Sequence, residues 1–176
     1  MYIKTYKAPF TTIYMRSDGE YLTGLWFENS RDSGKHQYCF KEKDLPIFDE
    51  TIKWLDIYFS GKNPNFIPEY KIENLTPFRK QVIDIMNKIP YGKTVTYSDI
   101  AKEIANSKGI QRMSAQAVGG AVGWNPICII IPCHRVVGSN GSLVGYGGGI
   151  KNKIKLLEIE KNDMSKFTVP QKGTAL

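Results

Sequence analysis

The sequence predicts an α+β protein. A small N-terminal α/β unit built on an antiparallel sheet is followed by a mainly helical C-terminal region with a helix-turn-helix, winged-helix-like arrangement. Three observations carry that expectation. Apolar and polar residues alternate through residues 2–28, with a turn signal at Ser17-Asp18-Gly19, the period-two pattern of a half-buried meander. Three short helical patterns then follow one another between Thr76 and Gly123, ahead of the β-branched run Ile129-Ile130-Ile131. Charge is split as well: residues 1–73 hold 10 Lys and Arg against 11 Asp and Glu, a net −1, whereas residues 74–176 hold 14 against 6, a net +8. The chain therefore divides into an N-terminal unit with its linker (1–73), a second unit (74–162) and a tail expected to be disordered (163–176).

Each element has a local reason. Phe48 to Phe59 (FDETIKWLDIYF) sets Phe48, Ile52, Leu55, Ile57 and Phe59 at roughly helical spacing and ends at Ser60-Gly61. The stretch Lys62 to Asn74 has two prolines and little periodicity, as a crossover does. Thr76-Pro77 is an N-cap followed by proline at the first helical position, and Phe78, Val82, Ile83, Ile85 and Met86 form the apolar face of that helix. Tyr97 to Ala105 forms a second helix, capped by Thr96 or Ser98, and Met113 to Gly123 a third. A last helix covers Ile150 to Glu160. In a helix-turn-helix the third of these helices is the recognition element. Its composition is unusual, because seven of the ten residues from Ser114 to Gly123 are Ser, Ala or Gly. Glycine weakens a helix but lets its backbone approach another surface closely, either a neighbouring helix or a nucleic-acid groove.

Composition excludes several classes. The N-terminus MYIKTYKAPF lacks an apolar core of signal-peptide length, and no stretch approaches the ~20 apolar residues that span a bilayer. Three cysteines at irregular spacing make no disulfide framework. The step His36-Gln37-Tyr38-Cys39 has no second ligand pair, so no metal is expected. A reduced, cytoplasmic chain without a membrane partner follows. The basic second half points to a polyanion such as nucleic acid, with a merely solvated lysine-rich face as the alternative. Two glycine signals fail as nucleotide loops. Gly92-Lys93-Thr94 lacks the glycine five positions earlier, where Asn87 stands, and Gly145-Tyr146-Gly147-Gly148-Gly149 lacks the following βαβ unit.

The chemistry concentrates at Pro132-Cys133-His134-Arg135. The isoleucines before it read as a buried strand, which Pro132 ends because it has no N–H to give. A cysteine there is either a small buried thiol or a nucleophile beside its base. Only the thiolate attacks carbon well, and at a pKa of ~8.5 a neighbouring imidazole must take the proton, directly or through a water. Adjacent strand residues point to opposite faces, so a departure from strand geometry is needed at Pro132.

In order, YGKTVTY (91–97), SAQAVGGA (114–121), Asn125-Pro126, IPCHRV (131–136), GYGGG (145–149) and LLEIE (156–160) resemble the methylated-DNA–protein-cysteine methyltransferases, also called alkylguanine-DNA alkyltransferases. The likeness runs from about Thr76 to Glu160. It implies a DNA repair enzyme that moves the alkyl group of O6-alkylguanine, and of O4-alkylthymine, irreversibly onto its own cysteine. Such a protein acts once, as a monomer on double-stranded DNA, and needs no cofactor. The resemblance makes Cys133 the acceptor, His134 its base, Glu160 the residue orienting the base, and Asn125 the hinge that braces the active-site turn. It makes Tyr97 the tyrosine that helps rotate the nucleotide and protonates the departing guanine. Ser114, Ala115, Gln116, Ala117 and Gly119 of the small-residue helix would enter the minor groove, only ~6 Å wide, with Arg135 also on the DNA. Tyr146, Gly147, Gly148, Cys128 and Val136 would line the alkyl pocket. Gln116 stands where most members place an intercalating arginine. Gly147 and Cys128, smaller than the serine and proline of some relatives, imply a pocket that admits groups larger than methyl. Three other readings stay open: a non-catalytic alkylated-DNA-binding protein of the same fold, a Cys-His hydrolase or acyl-transfer enzyme, and a winged-helix regulator.

Overall fold

A computed structural model describes residues 1–28, 30–31 and 40–170; His36 and Cys39 lie outside the described residues. The expected meander is present as β1 (Tyr2–Lys7), β2 (Thr12–Ser17) and β3 (Leu22–Phe27), paired antiparallel in the registers Tyr2↔Ser17 and Ile13↔Phe27. A two-residue strand β4 (Lys41–Glu42) adds parallel to β1, giving the order β3-β2-β1-β4. β3 departs from simple alternation, because all six of its residues are buried. Later chain covers its free edge: Leu25 N–H donates to Pro126 O (2.9 Å) and Cys128 N–H to Leu25 O (2.9 Å), while Leu22 bridges Tyr70. The edge that would face solvent in an isolated meander thus holds the segment leading to Cys133.

Helix α1 (Pro46–Phe59) buries Ile47, Phe48, Thr51, Trp54, Leu55 and Tyr58. This corrects the face read from the sequence. Ile52, Ile57 and Phe59 are only partly buried, because the 3.6-residue period runs through Trp54 and Tyr58 instead. Helix α2 (Pro77–Met86) starts as expected, with the Thr76 side chain accepting from Arg79 N–H and proline in the first turn. β5 (Val95–Thr96) leads into α3 (Tyr97–Lys108), closed at its start by a Thr96–Asp99 capping box and at its end by Gly109 in the left-handed region. Helix α4 (Ala115–Gly123) is capped by Ser114, which accepts from Ala117 N–H. Helices α2, α3 and α4 pack on one another. β6 (Val136–Val137) pairs parallel with β5, and α5 (Ile150–Ile159) follows.

One hydrophobic cluster runs from Ile13 and Phe27 of the sheet through Leu55 and Tyr58 to Val118, Ile131 and Leu156. The tail expected to be disordered differs over residues 163–170, while residues 171–176 lie outside the described residues. Residues 163–170 are ordered: Leu143 N–H donates to Thr168 O and Thr168 N–H to Gly141 O, while Met164 and Phe167 pack on Val137, Leu143 and Leu157. A short amphipathic segment can dock where two apolar side chains and two backbone bonds offset its ordering entropy.

Candidate active site

Ile129, Ile130 and Ile131 are buried as expected, but they form no strand. Ile130 N–H donates to Cys128 O (2.8 Å), closing a γ-turn around Ile129 at φ 70°, a strained conformation for a β-branched residue. Cys133 N–H donates to Ile131 O (2.8 Å) around Pro132 at φ −81°, ψ 59°, an inverse γ-turn. Cys133–Arg135 then make a single 3-10 turn. Buried backbone in so tight a path must find partners outside a ladder. Asn125 supplies them: its Nδ2 donates to Ile127 O (3.3 Å), Ile131 O (3.0 Å) and Cys133 Sγ (3.1 Å), and its Oδ1 accepts from Ile127 N–H (3.0 Å). One buried amide therefore fixes both ends of the turn and touches the thiol.

The 3-10 turn sends His134 and Arg135 inward, to Glu160 at the end of α5. His134 Nε2 lies 2.7 Å from Glu160 Oε1, and both side chains are fully buried. Arg135 donates through Nε to both carboxylate oxygens (3.1 and 3.0 Å), through Nη2 to Oε1 (2.9 Å) and through Nη1 to Ile89 O (2.7 Å). Arg135 is thus a buried partner of Glu160, which corrects its expected place on the DNA. Gly92 N–H donates to Oε2 (3.0 Å) and the Tyr58 hydroxyl to Oε1 (2.9 Å). Burial alone would push the Glu160 carboxyl up, but its hydrogen bonds with His134 and Arg135 and the Arg135 charge hold it at about 2. Burial also outweighs the pull of Glu160 on His134 and lowers its pKa, so the ring rests neutral. A neutral imidazole facing an ionised carboxylate carries its hydrogen on Nε2. Nδ1, buried and without a hydrogen-bond partner among the described residues, keeps the free lone pair.

Two of the expected pocket residues need comment. Asn125, Cys128, Cys133, Tyr146, Gly147 and Gly148 line one recess, but its volume is only about 10 Å³. That is no more than the space one water needs. The expected room for larger groups is not open here, because Phe27 and Tyr146 fill it: a Cβ on Gly148 would lie 2.8 Å from Phe27 Cδ2 and 2.6 Å from Tyr146 Cε1. Val136 is not in the recess. It is buried in β6, and its carbonyl accepts from Lys153 Nζ (2.7 Å).

Outside the recess lies a groove of about 890 Å³. Ala115, Gln116, Gly119, Gly120 and Gly123 of α4 form one wall, and Gly138, Ser139, Val144 and Gly145 line it too. Tyr97 sits between the two, its hydroxyl donating to Val144 O (3.2 Å); burial and the nearby Cys133 push its phenol up to about 12, so it keeps its proton. Ser114 serves as the cap of α4, and Ala117 is exposed on the same helix outside the groove lining.

Sequence reasoning missed several contributors. Lys153 is fully buried and donates to Val136 O and Val144 O (3.3 Å), with burial drawing its ammonium down to about 8. Its signal was present: Lys153, Leu156, Leu157 and Glu160 share one helical face, so two charged residues lie on a buried stripe. Tyr58 gave a similar sign, at the spacing of Trp54 and Leu55 on α1. Gly92, dismissed as a phosphate loop, has its reason here. Its φ is 72°, and a Cβ would lie 2.9 Å from Glu160 O. Arg31 and Arg79 line the groove, with the Arg79 guanidinium 4.0 Å over the Trp124 ring.

Fold and site define a class: a protein with a buried cysteine next to a histidine–carboxylate pair, set under a groove walled by a small-residue helix. Residues 77–162 match the family described as "6-O-methylguanine DNA methyltransferase, DNA binding domain". A methylated-DNA–protein-cysteine methyltransferase of Haemophilus influenzae is 37% identical over 163 residues, 92% of this chain and 87% of that one. Another, of Mycobacterium leprae, is 43% identical over 164 residues, 93% of this chain and 94% of that one. The crystal structure of Mycobacterium tuberculosis OGT in complex with DNA is similar at a TM-score of 0.77 and 34% identity, covering 95% of each chain. The chain belongs to the methylated-DNA–protein-cysteine methyltransferase family.

Proposed function

We propose that this chain repairs double-stranded DNA by moving the alkyl group of O6-alkylguanine, and of O4-alkylthymine, onto Cys133, once per molecule. The observation that carries the reading is the link from Cys133 through Asn125 and the 3-10 turn to a neutral His134 held on Glu160. In the reaction the Cys133 proton passes to His134 Nδ1, directly or through a water. The thiolate attacks the alkyl carbon, a C–S bond forms, the carbon–O6 bond breaks, and its electron pair enters the guanine ring. Tyr97, which keeps its phenolic proton, gives it to the minor-groove ring nitrogen of the departing base. The thioether is not hydrolysed, so the protein is spent.

The target atom lies inside the duplex, so the nucleotide must rotate out of the stack. We infer that α2, α3 and α4 act as a helix-turn-helix whose α4 enters the minor groove with Ala115, Gln116 and Gly119, while Gln116 fills the vacated space. The groove alongside α4 and the +8 charge of residues 74–176 support this reading. The recess must widen on substrate entry. Mass spectrometry of the intact protein after mixing with DNA holding one O6-methylguanine tests the proposal. One methyl group on Cys133 is expected, and turnover of more than one lesion per molecule would overturn it.

A further inference from the structure

Helix α1, far from the cysteine in sequence, reaches the relay through one side chain. The Tyr58 hydroxyl donates to Glu160 Oε1 (2.9 Å) and lies 3.3 Å from His134 Nε2, so three polar groups close a buried triangle. The Tyr58 ring is fully buried, stacked on Trp54 at 5.3 Å and 8°, and set edge-on to Tyr91 and His134 at 6.1 and 6.3 Å. A ring held on three sides cannot turn its hydroxyl elsewhere.

We propose that Tyr58 is a positioning residue through which the N-terminal unit tempers the basicity of the His134–Glu160 pair. A hydrogen bond donated to a carboxylate disperses its charge and weakens its hold on a neighbouring imidazolium. With Arg135 and the Gly92 amide on the remaining lone pairs, Glu160 Oε1 would otherwise spend more of its charge on Nε2–H. Burial, then Glu160, pushes the Tyr58 phenol well above its usual value, so it stays a donor throughout the working pH range. The groups facing the pair are Tyr58 from α1, Tyr91 and the Gly92 amide from the 90–92 turn, Arg135 from the 3-10 turn, and Lys153 from α5. Among these, Tyr58 can be changed by one atom without altering charge. The inference rests on the proposed role of His134 as base, and its test is chosen to be separable from DNA repair.

The experiment follows the rate of Cys133 alkylation by iodoacetamide against pH in the full chain, read by peptide mass spectrometry. Tyr58→Phe keeps the packing and removes the donor. Its acid midpoint should move down by roughly half a pH unit, the share of one hydrogen bond. Incorporation of 3-fluorotyrosine at position 58, a stronger donor of nearly the same shape, should move it up. An unmoved midpoint in both proteins, whatever the absolute rate or melting temperature, would reduce Tyr58 to a packing residue and overturn the proposal; so would shifts of the opposite sign. Methyl transfer from alkylated DNA is measured in parallel. Its absence in the wild-type chain would overturn the repair function while the iodoacetamide midpoints still decide the role of Tyr58.

Discussion

Asn125 separates two regions built on opposite plans. On its N-terminal side, α4 offers the groove a wall of Ala115, Gln116, Gly119, Gly120 and Gly123, uncharged and nearly without side chains. On its C-terminal side, residues 127–136 are buried and dense with polar contacts, to which Asn125, His134 and Arg135 each contribute several. The first region is specified by what it leaves out, so that a bulky partner can come close. The second is specified by satisfaction, since each buried polar atom left unpaired would cost about 1–3 kcal/mol. Changes to the turn should therefore damage chemistry and fold together, and changes to α4 should damage only what docks there.

Cys133→Ser gives the largest contrast. Methyl transfer should vanish while affinity for duplex DNA stays within a few-fold, read by mass spectrometry and by a fluorescence-anisotropy titration. Asn125→Ala comes next. It orphans the amide of Ile127 and takes one of two hydrogen bonds from each of the carbonyls of Ile127 and Ile131, so denaturant unfolding should report a loss of roughly 1–3 kcal/mol. A loss under 1 kcal/mol would mean that the turn holds itself. Glu160→Gln separates charge from shape. The folded pKa of Glu160, about 2, lies below its ordinary 4.5, so its contribution is complete above pH 4.5 and is lost as pH falls toward 2. That contribution is at most about 3 kcal/mol at neutral pH. The gap in stability between the wild type and Glu160→Gln should narrow as the pH falls through this window, and a constant gap would refute the linkage.

The smallest effect belongs to the open side. Gln116→Ala should slow repair of duplex DNA a few-fold and leave reaction with a free alkylated guanine unchanged, because Gln116 is exposed in the groove and outside the recess. Equal slowing of both substrates would give Gln116 a packing role and blur the contrast between the two regions.

Much of this was legible in the sequence, and the failures share a cause. Caps and periods are local, so Thr76-Pro77, the Gly123 end of α4 and the Ile150 start of α5 could be read directly, and Thr96 is one of the two caps expected for α3. The isoleucine run forms no strand because its backbone partners are the neighbouring Ile127 and Cys128 carbonyls, the Cys133 amide and the Asn125 side chain, and β-branched composition reports neither a γ-turn nor a side-chain brace. The resemblance implies a place for Arg135 on the DNA, but a carboxylate 25 positions on holds it. Tyr58 meets Glu160 across 102 positions, a contact that no local window contains. Residues 163–170 dock through Met164 and Phe167 onto Val137, Leu143 and Leu157, contacts that no local pattern announces.

The seam between Leu25 and residues 126–128 has a consequence for solubility. A strand with unpaired N–H and C=O groups is a template on which another chain can add. Here β3 is closed along that side by the same segment that fixes Cys133, through Leu25 N–H to Pro126 O and Cys128 N–H to Leu25 O. Whatever loosens the turn also bares the strand. The order of the reactive centre and the cover of a strand edge thus rest on one pair of hydrogen bonds.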